Sequence, residues 1–174
     1  MTLLLKQIFA FIKLLNSDTG TVSLAAGMSL GMILGFAPVL SLQTLLVFLI
    51  IFLFRVQIGA AFLAAFFFKF VAFLLDPVFN KAGQAILETE GLKPLFTTMY
   101  NMPVVPLTRF NNSIVMGAGI VSVLLTPFAF ILFSYLITKY RVTILARFQN
   151  TKFWKLVKAT SLYQWYVKYD NLYG

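Results

Sequence analysis

The 174-residue chain contains no cysteine and no histidine. The first absence excludes a disulfide framework and thiolate metal sites. The second removes the commonest general base and the commonest metal ligand. Carboxylates are nearly missing as well: Asp18, Asp76, Glu88, Glu90 and Asp170 are the whole set. Hydrolysis of phosphate or glycosidic bonds usually draws on clustered carboxylates, histidines or metal ions. An enzyme is therefore the least expected class, and neither a metal nor a cofactor is expected. Charge is scarce overall, at 11 % of residues against ~25 % in ordinary soluble domains.

What is present is apolar length. Thr19–Phe54 holds no charged residue, Val56–Leu75 is interrupted only by Lys69, and Phe110–Thr138 holds none. About 20 apolar residues suffice to cross a bilayer as a helix. The expected fold is all-α: a polytopic helical membrane protein with a broken helical hairpin, two further spans and interfacial amphipathic helices at both ends. The length allows one membrane domain with short flanks.

The net charge of +9 is concentrated at the ends. Lys6 and Lys13 precede the first apolar stretch. Lys139, Arg141, Arg147, Lys152, Lys155, Lys158 and Lys168 follow the last, opposed only by Asp170. The positive-inside rule puts both ends in the cytoplasm and makes the number of crossings even. A basic tail beside a span is explained by that rule without nucleic acid. The expected location is the bacterial inner membrane, with membrane lipids as one partner and Asp76–Arg109 on the far side.

Along the chain, residues 1–18 read as an interfacial helix closed by the turn Asn16–Gly20. Residues 21–54 exceed one straight span and are broken at Gly35-Phe36-Ala37-Pro38, since proline lacks the donor a helix interior requires. Two short crossing helices and a re-entrant hairpin both fit. Residues 57–75 read as a span ended by Asp76-Pro77, and Val78–Leu87 as a short surface helix. The stretch 76–111 connects to a span over 112–140, kinked at Pro127. The tail 141–174 places Lys152, Lys155 and Lys158 opposite Phe153, Trp154 and Leu156, and with Trp165 forms a membrane-surface anchor.

Four features carry candidate function. Ser23, Gly27, Gly31 and Gly35 form a small-residue stripe, expected to pack on the Leu42–Phe54 helix or a neighbouring subunit, or to thin the wall of a substrate path. Gln43 needs a partner in lipid, and the carbonyls freed near Gly35–Pro38 are natural ones. Lys69 lies inside a span, and Asp76, seven residues on, shares its face ~10 Å along the axis. An intramembrane lysine is a functional candidate, or it snorkels to the interface. Arg55 marks the cytoplasmic end of the same hairpin. The phenylalanines from Phe62 to Phe73 read as lipid-facing bulk.

The pattern Gly31-x-x-x-Gly35-x-x-Pro38-x-x-x-x-Gln43, the lone Arg55 and the Asp76-Pro77 that follows resemble a family of small bacterial inner-membrane proteins known as a domain of unknown function. Some of its members are fused to glycosyltransferases. The resemblance covers Leu24–Leu87, and Asp76 stands where that family more often has Asn. It implies envelope lipid chemistry: a non-enzymatic component of lipid handling with a periplasmic lipid-transfer protein or a membrane protein as partner. Lys69 or Arg55 would then meet a lipid phosphate, with Gly35, Pro38 and Gln43 shaping the path. The residues also allow a small ion-coupled transporter or channel using Lys69 and Asp76, or a scaffold subunit, and they are compatible with an oligomer.

Overall fold

A computed structural model describes residues 3–38, 41–54 and 56–145. It is all-helical over these residues. Six α-helices follow in order: α1 Leu3–Leu15, α2 Thr21–Phe36, α3 Leu42–Leu53, α4 Ile58–Leu87, α5 Lys93–Tyr100 and α6 Ser113–Lys139. The chain divides into two compact units, residues 1–135 and 136–174. Of the second, the described part is the end of α6 and a π-helical segment, Tyr140–Leu145.

Local chemistry sets most of the ends. Beyond α1, Ser17 Oγ donates to the Leu14 carbonyl at 2.7 Å. At the end of α2, Ala37 is extended, with φ −73° and ψ 153°. That is the conformation a residue before proline must take, so Pro38 ends the helix one residue early. Ser41 caps α3 by accepting from the Thr44 N–H at 3.3 Å. Asn112 caps α6 in the same manner, its Oδ1 accepting from the Val115 N–H at 3.2 Å.

Helices α2 and α4 run parallel, because Gly27, Gly31 and Gly35 meet α4 in rising order. The small residues decide the distance. A Cβ on Gly27 would stand 2.5 Å from the Gln57 carbonyl oxygen, and one on Gly35 2.6 Å from Phe68 Cβ. The stripe thus faces α4 and not, as expected, the Leu42–Phe54 helix. The reason is that Ala60, Ala61 and Ala64 offer a second small surface, whereas α3 presents bulky side chains. After α3 the chain is back beside the start of α2, with the Gln57 N–H 3.5 Å from the Ser23 carbonyl oxygen. Helix α1 docks on α4 through Leu14 at Gly59 and Phe11 against Phe67.

The helix α4 does not stop at Asp76-Pro77. It continues through Pro77 to Leu87. Proline costs an interior helix ~3 kcal/mol, but packing beyond it holds the helix in line. Phe79 is fully buried and its ring lies 5.1 Å from that of Phe36. Gly83 touches the Ser113 backbone, and Gly117 touches the Phe79 carbonyl. Ser113 Oγ donates to Asn80 Oδ1. Helix α6 likewise runs unbroken through Pro127. The connection between α4 and α6 is more ordered than its three prolines suggest. It forms the 3₁₀ turn Glu90–Leu92, then α5, then the 3₁₀ turn Val105–Thr108.

Helices α4 and α6 are long and apolar enough to cross a membrane. Only 28 % of the most apolar window in the first and 11 % in the second is buried. The core helix of a soluble protein would be mostly covered. Here Phe62, Phe70, Phe73, Leu74, Phe128 and Ile131 stand outward, while Phe66, Phe67 and Phe68 are half-buried. Soluble monomers rarely expose contiguous apolar patches of more than a few hundred Å².

Candidate functional site

The break after α2 is where polar chemistry gathers. A helix end leaves carbonyls without partners, and in an apolar surrounding each unmet group is costly. Here side chains meet two carbonyls just beyond the helix end, those of Ala37 and Pro38. Lys69, from the middle of α4, donates from Nζ to the Ala37 carbonyl at 3.2 Å. The Pro38 carbonyl accepts from Ser41 Oγ at 3.0 Å and from Thr44 Oγ1 at 2.8 Å. The two hydroxyls lie 3.2 Å from each other.

A groove of about 680 Å³ opens beside this break. Its walls are Phe36, Pro38, Ala72, Phe73 and Val115 among others, with Lys69 and Asp76 as the charged members. Lys69 is exposed and Asp76 half-buried. Asp76 makes no ion pair and no hydrogen bond within the described residues; an ion pair seen among them, Lys93–Glu90 at 3.8 Å, lies outside the groove. Among the described residues the groove therefore carries one cation and one anion on an otherwise apolar surface. Such a surface can seat an amphiphile and orient its polar end. Among the described residues no three of His, Cys, Asp or Glu come together.

Residues 5–145 match the family described as "Uncharacterized protein conserved in bacteria" (DUF2062). The chain belongs to the DUF2062 family. A protein of Treponema pallidum (strain Nichols), described as "Uncharacterized protein", is 25 % identical over 159 residues, covering 91 % of this chain and 98 % of that protein. No solved structure matches.

The DUF2062 match runs from α1 to the π-helical segment and so contains the whole groove. Within it the sequence-derived candidates separate into groups. Pro38, Lys69 and Asp76 come together in the groove. Gly27, Gly31 and Gly35 are buried between α2 and α4 and act in packing. Gln43 does not clamp the break. One residue short of Thr44, it is rotated by ~100° on the helix and turns to α6, where a Cβ on Gly119 would meet its Nε2 at 3.2 Å. Its Oε1 is buried without a hydrogen-bond partner among the described residues. Arg55, Lys152, Trp154, Lys155, Lys158 and Trp165 lie outside the described residues.

Sequence reasoning missed the residues that satisfy the break. Ser41 carried a readable signal, since a serine just before an apolar helical run is a preferred N-cap. It also missed the α4–α6 contact. There, Ser113-x-x-x-Gly117 is a small-xxx-small pair, and Gly83 is its counterpart.

Proposed function

We propose that this protein is a non-enzymatic inner-membrane component of bacterial envelope lipid handling, which passes or presents lipid to a periplasmic partner. The observation that carries this reading is the apolar groove with a lysine ammonium at its inner end. In this arrangement α4 and α6 cross the bilayer and the lysine-rich ends stay in the cytoplasm. The exposed faces of α3, α4 and α6 are covered by acyl chains, and the tail residues Lys152, Trp154, Lys155, Lys158 and Trp165 hold to the inner leaflet.

The segment α2–break–α3 is then a re-entrant broken hairpin. Three observations support this. The Pro38 turn lies at the level of Lys69, ~17 Å along α4 from Ile58, short of the ~30 Å hydrocarbon core. The chain returns to Ser23 at Gln57. Irregular backbone at membrane depth survives only where protein or water satisfies it, and Lys69, Ser41 and Thr44 do so.

The test is purification from native membranes in mild detergent, with identification of bound lipid and protein, alongside outer-membrane lipid analysis of a deletion strain. Co-purifying phospholipid and a periplasmic lipid-transfer protein are expected. Recovery of no such partner together with unchanged outer-membrane lipid overturns the proposal. The convergence of Lys69 and Asp76 on one groove also favours a second reading, an ion-coupled transporter. Neutralising both without altering any ion flux in reconstituted vesicles removes it.

A further inference from the structure

We infer that the groove binds a zwitterionic glycerophospholipid with a primary ammonium, an ethanolamine-type headgroup, holding its phosphate at Lys69 and its ammonium at Asp76. This rests on the lipid-handling reading above and adds the identity of the headgroup.

The argument is one of unmet partners. A lysine ammonium has three donors, and Lys69 spends one on a neutral carbonyl, that of Ala37. Among the described residues no carboxylate pairs with its positive charge. Asp76 is half-buried, and within the described residues no donor and no cation reaches it. The two are not paired with each other in the structure. Two helical turns, ~10 Å along the axis, separate them. A charge left without a partner at membrane depth is expensive, so each calls for an opposite charge from the ligand.

The three common phospholipid headgroup chemistries answer differently. A glycerol headgroup brings a phosphate for Lys69, but beyond it only neutral hydroxyls, which can donate to Asp76 without neutralising its charge. A choline headgroup brings both signs, but its quaternary nitrogen has no N–H to donate. An ethanolamine headgroup brings a phosphate for Lys69 and three N–H donors for Asp76, in charge-assisted hydrogen bonds. The lysine stem, four methylenes long, shortens the axial separation toward the length of such a headgroup. Phe70, Phe73 and Leu74 line the same groove and offer apolar cover for the first part of the acyl chains. A volume of about 680 Å³ holds a headgroup and chain starts, and the remaining chain lies along the exposed face of α4.

The experiment uses the full chain in detergent, offered an equimolar mixture of phosphatidylethanolamine, phosphatidylglycerol and phosphatidylcholine with matched acyl chains, and reads bound lipid by native mass spectrometry. The wild-type protein is expected to retain the ethanolamine lipid over each of the others by about tenfold. Asp76→Asn should erase that preference, and Lys69→Gln should lower retention of all three. Lys69→Arg, which keeps a cation and donors, should restore retention. Equal binding of the three lipids, or a preference for the glycerol lipid, overturns the headgroup inference and leaves the lipid-handling reading standing. Binding of no lipid overturns both. The wild-type ranking alone decides the inference should a variant fail to fold, and an Asp76→Asn protein that keeps the wild-type ranking overturns the part given to Asp76.

Discussion

Replacing Gly31 with alanine tests the tightest contact between α2 and α4. The added Cβ would overlap the Ala61 carbonyl oxygen, and would lie 2.8 Å from Ala64 Cβ and 3.0 Å from the Ala61 carbonyl carbon. Carbon atoms prefer separations of ~3.5–4.0 Å, so α2 and α4 must part by about 1 Å. The obstacle is backbone and a Cβ, neither of which can swing aside. Overpacking of this kind costs ~1–3 kcal/mol, and the rigid neighbours put Gly31 at the upper end. Alanine returns up to ~1 kcal/mol of helix propensity. The net loss is then about 2 kcal/mol, a roughly 30-fold shift in the unfolding equilibrium. Reversible unfolding in mixed micelles reads it directly. Gly91→Ala is the control, because nothing lies within 4 Å of a Cβ there, and it should change stability by less than ~0.5 kcal/mol. If Gly31→Ala proves as stable as the wild type or more so, the parallel close packing of α2 on α4 is wrong.

Further expectations follow from other contacts. Asn80→Cys with Ser113→Cys should form an intramolecular disulfide on mild oxidation, read as a mass loss in a chain with no other cysteine; no cross-link would refute the α4–α6 register. Ser41→Ala should cost ~1 kcal/mol as a lost cap. Combined with Thr44→Val it strips the Pro38 carbonyl of both side-chain donors, at a total of about 2 kcal/mol or more, with faster amide exchange at the start of α3. Unchanged exchange in the double variant would contradict the described break. Pro77→Ala should leave α4 intact and stabilise it by ~1–3 kcal/mol, since a helix interior regains a donor; destabilisation would mean that Pro77 does something more than the helix geometry implies.

The fold was partly legible. Charge-free length marks the long apolar helices in the sequence, because a run of ~20 consecutive apolar residues is a local property. The ends at Asn16–Gly20 and Gly35–Pro38 were legible for the same reason: caps and proline act on their immediate neighbours. The end set at Asp76-Pro77 was wrong. A local breaker was outweighed by the distant contacts of Phe79 and Gly83, which proline chemistry does not reveal. The glycine stripe was recognised as a packing surface, but its partner was misassigned, since α3 is the nearer helix in sequence and α4 the better fit in shape. Pro38, Lys69 and Asp76, singled out by type and spacing, line one groove. Ser41 and Thr44 were overlooked in favour of the larger amide of Gln43.

The sequence by itself determined that the protein is helical, apolar along its middle and basic at its ends, and poor in the groups that enzymes use. These are sums over residues, and no folding is needed to take them. Only the tertiary structure decided which carbonyl Lys69 would answer, that Asp76 would line the same groove with no partner among the described residues, and that Gln43 would turn away. Those outcomes depend on helix rotation and on contact between residues 32 or more positions apart, such as Ala37 and Lys69. A periodic pattern names the face of a helix, and only packing selects what that face meets.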